Sequence, residues 1–87
     1  MRPENPTAAI RDFIANDLLY DPSIEIGVDD QLLLDGLVDS LSIARLVIFV
    51  EDSWQIHIPP GDVSIENFGT IEAIVGYADG RASQQQG

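Results

Sequence analysis

The chain has 87 residues, no cysteine and one histidine, which sets aside disulfides, thiolate chemistry, a zinc site and a histidine-based catalytic relay. Fifteen acidic residues against four basic ones give a net charge of −11, a surface that repels nucleic acid and anionic membranes and attracts basic patches on proteins. A hydrophobic content of 45% suits one folded domain, and with no secretory signal and no apolar run near the ~20 residues of a bilayer span, a cytoplasmic location is expected.

Residues 1–6 hold two prolines and no apolar periodicity, and read as a flexible lead-in to a domain over residues 7–79. Thr7 is the expected cap of a first helix running to about Tyr20, with Ala9, Ile10, Phe13, Ile14 and Leu18 as its buried stripe. Asp21-Pro22 ends it, because the residue before a proline is pushed out of the helical region. Residues 21–39 then form a long connection. Ile24, Ile26 and Val28 alternate, but no later segment offers a partner strand, so they read as anchors for an extended loop. Leu32-Leu33-Leu34 is expected to make a short turn of helix that closes the core beneath Ser40. Asp29, Asp30 and Asp35-Gly36 lack the alternating ligands and closing Glu of a calcium loop, and no metal is expected.

A second helix is predicted from Leu41 to Trp54, burying Ile43, Leu46, Val47, Val50 and Trp54. After Gln55-Ile56-His57-Ile58, Pro59-Pro60-Gly61 breaks the chain. A short third helix or turn packs through Val63, Ile65 and Phe68. Thr70 caps a last helix that buries Ile71, Ile74, Val75 and Ala78 and stops at Asp79-Gly80, leaving residues 80–87 as a flexible polar tail. The expected fold is all-α, a small four-helix bundle of three main helices and a short third one, with a long loop between the first two.

Ser40 opens the second helix, beside unpaired backbone donors and the positive end of the helix dipole. Two roles fit that position. One is an N-cap whose hydroxyl accepts a backbone hydrogen bond. The other is the attachment point of a phosphate ester, since a helix N-terminus stabilises an anion held against it.

The segment Leu34-Asp35-Gly36-Leu37-Val38, then Asp39-Ser40-Leu41, then Ile43 to Glu51 and Ile56-His57-Ile58-Pro59 resembles the acyl and peptidyl carrier proteins over about Thr7 to Ala78. The resemblance implies that Ser40 carries a covalent 4′-phosphopantetheine arm, installed from coenzyme A by a phosphopantetheinyl transferase. The arm's thiol would hold cargo as a thioester. The chain would then be no enzyme. Leu41, Ala44, Arg45, Ile48, Glu51 and Asp52 keep beside Ser40 and away from the buried stripe. By resemblance they form, with Asp39, the docking face for the transferase, for an acyl- or aminoacyl-loading ligase, and for condensing, tailoring or thioesterase enzymes.

Arg45 departs from the family pattern, because fatty-acid carriers usually present an acid there. A reversed charge costs affinity for partners built around that acid. Gly36-Leu37-Val38 also looks nearer to freestanding aminoacyl, peptidyl and specialised-metabolite carriers than to the housekeeping type. The expectation is a monomeric, discrete carrier of specialised metabolism. The alternatives are a fatty-acid synthesis carrier and an unmodified acidic helical interaction module. A serine hydrolase lacks its parts: no base is near in sequence and the Gly-x-Ser-x-Gly elbow is absent.

Overall fold

A computed structural model describes residues 3–85, and they form four α-helices with no β-strand among them. The first, α1, spans Pro6–Phe13 and widens into a π-turn over Ile14–Leu18. Its cap is Asn5 and not Thr7: the Asn5 side chain accepts the Ala8 N–H at 3.1 Å. Pro6 explains the shift, since its fixed φ and missing N–H suit the first helical position. The last residue of the expected lead-in, Pro6, therefore belongs to the helix and Asn5 caps it, and Met1 and Arg2 lie outside the described residues. Ile10, Ile14 and Leu18 are buried as the periodicity predicts. In the π-turn the Leu19 N–H reaches the Ile14 carbonyl, and Tyr20, at φ +55°, turns the chain out before Pro22.

The connection over 21–39 is pinned to the helices at several points. Ile26 and Leu32 are buried. Arg11 Nε donates to the Ile26 carbonyl at 2.9 Å, and the Leu32 N–H donates to the Gly69 carbonyl at 2.7 Å. The Val28 carbonyl accepts the Glu72 N–H at 3.0 Å, pairing a first-turn donor that the helix itself leaves orphaned. Asp30 accepts the Gly27 N–H and so closes its own turn.

The second helix, α2, spans Ser40–Trp54 and buries Leu46, Val50 and Trp54, with Ile43 and Val47 half-buried. Gln55, in the left-handed conformation at φ 56°, ends it. The indole N–H of Trp54 donates to Asp79 Oδ1 at 2.9 Å, so the largest core side chain leaves no polar atom stranded. A 3₁₀ turn at Pro60–Asp62 leads to the one-turn α3, Ile65–Phe68, capped by Ser64. Phe68 enters the core, whereas Ile65 opens the turn at the surface and stays exposed.

The last helix, α4, runs Ile71–Gln85, with Thr70 Oγ1 accepting the Ala73 N–H at 3.0 Å. It does not stop at Gly80. Arg81 Nη2 donates to the His57 carbonyl at 3.0 Å and Ala82 packs against the core, so a further turn has something to hold. Of the expected tail, only Gln86 and Gly87 lie outside the described residues. Tyr77 bonds Asp62 through its hydroxyl at 2.6 Å; burial first, then that bond, push its phenol up to about 12. Each of the other three helices contacts α4, which makes it the floor of the fold. No helix among the described residues is long and apolar enough to cross a membrane.

Candidate functional site

The turn over residues 32–38 aims the head of α2. Gly36 takes φ +78°, a conformation that side-chain-bearing residues rarely adopt, and the Val38 N–H returns to the Leu32 carbonyl at 3.0 Å. Val38 is buried, anchoring the chain from below one residue before it rises to the surface. Asp39 then stands in extended backbone and caps the helix. Its Oδ1 accepts the N–H groups of Leu41 at 3.1 Å and Ser42 at 2.8 Å. The backbone bond from Ser42, aided by the Ser42 hydroxyl, holds this carboxyl below its ordinary value of 3.8.

Ser40 is thus the first residue of the helix and not its cap. Its side chain is exposed, and the capping role that would have occupied its hydroxyl belongs to Asp39. Beside it lies an open recess of about 380 Å³ walled by Leu33, Val38, Ile43 and Val63, with Asp39 and Ser40 at the mouth. An exposed primary hydroxyl at a helix N-terminus, next to an apolar trough, is well placed to bear a substituent with a phosphate at its root.

Along α2, Leu41 is 82% exposed and Ile48 58% exposed, and Ala44, Arg45 and Asp52 are exposed with them. Glu51 is different. It is half-buried, accepts the Ile58 N–H at 2.8 Å and lies 3.6 Å from His57 Nδ1. The left-handed turn at Gln55 lays residues 56–58 back over the last turn of α2, and Glu51 holds that segment. Glu51 therefore also serves as a structural acceptor for the segment that follows the helix. The same geometry keeps His57 beside Glu51, which lies eleven residues along α2 from Ser40, or roughly 16 Å of rise. The serine has no imidazole beside it.

Sequence periodicity missed Phe49. It lies off the main stripe and stacks on Phe13 of α1, with ring centroids 4.3 Å apart and planes 16° from parallel. Phe13 stood on the expected stripe of the first helix, but its partner Phe49 is legible only once the two helices approach each other. No family model matches the chain, and no curated protein matches it significantly.

Proposed function

We propose that the chain is a discrete carrier protein of the acyl or peptidyl type, bearing 4′-phosphopantetheine on Ser40. The carrying observation is the division of labour at the head of α2: Asp39 caps the helix, and Ser40 is left exposed beside an apolar recess. The helical fold, read as a four-helix bundle with a long first loop, agrees with this reading. So does the −11 charge, which suits basic partner surfaces.

In the modification, the Ser40 oxygen attacks the pyrophosphate of coenzyme A within a transferase. A serine–phosphate bond forms, the nucleotide half leaves, and the hydroxyl proton passes to the transferase. The arm supplies a thiol that holds cargo as a thioester, which the cysteine-free chain lacks. The recess walled by Leu33, Ile43 and Val63 gives the root of the arm an apolar surface to lie on. A cytoplasmic, monomeric carrier of specialised metabolism is the reading we favour, with a loading ligase and downstream condensing, tailoring or thioesterase enzymes as partners.

The test is the intact mass before and after incubation with coenzyme A, magnesium and a broad-specificity phosphopantetheinyl transferase. The expected result is the gain of one phosphopantetheine, lost in Ser40→Ala. No gain, under conditions that modify an established carrier, would leave an unmodified interaction module as the better reading.

A further inference from the structure

The sequence holds two Asp-Gly pairs, Asp35-Gly36 and Asp79-Gly80, and the fold treats them oppositely. Such a pair can react with itself, because glycine has no Cβ to keep its amide nitrogen from the carboxyl carbon of the preceding side chain. Whether it does so depends on the freedom of that carboxyl and that amide. Asp79 lies inside α4, where its Oδ1 accepts the Trp54 indole N–H at 2.9 Å and the Gly80 amide belongs to the helical ladder. Asp35 and Gly36 are both exposed and lie outside the four helices. Among the described residues, no hydrogen bond or ion pair holds the Asp35 carboxyl. The Gly36 N–H reaches the Leu33 carbonyl at 3.3 Å, longer than an ordinary N–H···O bond. A Cβ added at Gly36 would meet nothing within 4 Å, so the space beside this amide is open.

We infer that Asp35-Gly36 is a site of spontaneous backbone isomerisation, whose product loosens the turn that aims the head of α2. The Gly36 nitrogen attacks the carboxyl carbon of the Asp35 side chain. A carbon–nitrogen bond forms, and the amide proton leaves with the carboxyl hydroxyl as one water, giving a cyclic imide. Solvent water then adds to one of the two imide carbonyls. Addition at the side-chain carbonyl restores aspartate. Addition at the main-chain carbonyl breaks the original peptide bond, so the chain now runs through the side-chain methylene and a free α-carboxylate remains. No oxidant, reductant or enzyme enters. The product keeps the mass of the starting chain, and its backbone is longer by one carbon atom.

That atom enters a tight place. The Val38 N–H closes on the Leu32 carbonyl at 3.0 Å across this dipeptide, and Gly36 already takes φ +78° to make the bend. A longer backbone between Leu32 and Val38 stretches or breaks that bond. Val38, 2% exposed, pins the chain one residue before Asp39, so slack introduced upstream of it reaches the cap of α2. The consequence for Ser40 as an arm-bearing residue rests on the carrier reading. The isomerisation and the loosened turn do not.

The test incubates the folded protein in neutral buffer and samples it with an isoaspartyl methyltransferase and labelled S-adenosylmethionine, using peptide mapping to place the label. Isoaspartate should build up at residue 35 and exceed that at residue 79 by about tenfold or more, since Asp79-Gly80 reacts only when α4 opens. Asp35→Glu keeps the charge but would need a larger ring, and should abolish the label. In the isomerised fraction, hydrogen exchange at the Val38 amide should quicken by about tenfold or more, because its bond to Leu32 is lost. Equal label at residues 35 and 79 would overturn the proposal. So would no label at residue 35 under conditions that convert a free peptide of residues 31–40, or isomerised protein with unchanged exchange at Val38. Mass gain of the arm is followed on the same samples, and isomerised protein should take it more slowly than fresh protein. Fresh protein that takes no arm sinks the carrier reading alone, because label and exchange are read without it.

Discussion

Asp39 and Ser40 are neighbours whose roles depend on each other. The carboxylate takes the two backbone donors that a serine in the capping position would have taken, and the serine hydroxyl is left to solvent. Replacing Asp39 by Ala removes those bonds, so the melting temperature should fall by a few degrees. Because the folded carboxyl sits below 3.8, its contribution is present in full above that value and fades as pH falls through the lower folded value. Denaturant midpoints of the two proteins should therefore differ at neutral pH and converge in acid. A difference that persists unchanged in acid would show that the charge on Asp39 contributes nothing to the cap.

Among the elements, α4 carries two glycines that nothing around them requires. Gly76 and Gly80 are exposed, and an added methyl at either meets no neighbour within 4 Å. Each Gly→Ala change should raise stability by about 0.5–1 kcal/mol through helix propensity. Gly69 is the opposite case. A methyl there would collide with the Ile65 carbonyl oxygen at the tight corner between α3 and α4, and the Gly69 carbonyl also receives the Leu32 N–H. Gly69→Ala should cost about 2 kcal/mol or more, because backbone has to move. Urea unfolding of the three variants checks both signs.

Across the whole molecule, the long connection behaves as core. Leu32 is fully buried in a segment with no regular helix, and its N–H and carbonyl join Gly69 and Val38. Leu32→Ala should cost about 2–5 kcal/mol. That is a large share of the roughly 4–13 kcal/mol expected for a chain of this size. Hydrogen exchange at the Leu32 amide should be as slow as in the centre of α4; fast exchange there would mean that the loop opens apart from the helices.

Apolar spacing alone marked the helical segments, because burying one face imposes a period that residues such as Ile10, Ile14, Leu46, Val50 and Ile74 display directly. Gly36-Leu37-Val38-Asp39-Ser40 marked the place of the candidate serine for the same local reason, a turn followed by a helix start. Which of two adjacent polar residues became the cap was not legible, since Asp and Ser cap about equally well and the choice depends on where buried Val38 pins the chain. The extension of α4 past Gly80 came from Arg81 reaching the His57 carbonyl, 24 residues away. Glu51 became an acceptor only because Ile58 folded back onto it. Local pattern was enough for the elements and for the position of Ser40. The cap, the end of α4, the Glu51–Ile58 bond and the Phe13–Phe49 stack were settled by packing, because each depends on a contact between residues that periodicity cannot bring together.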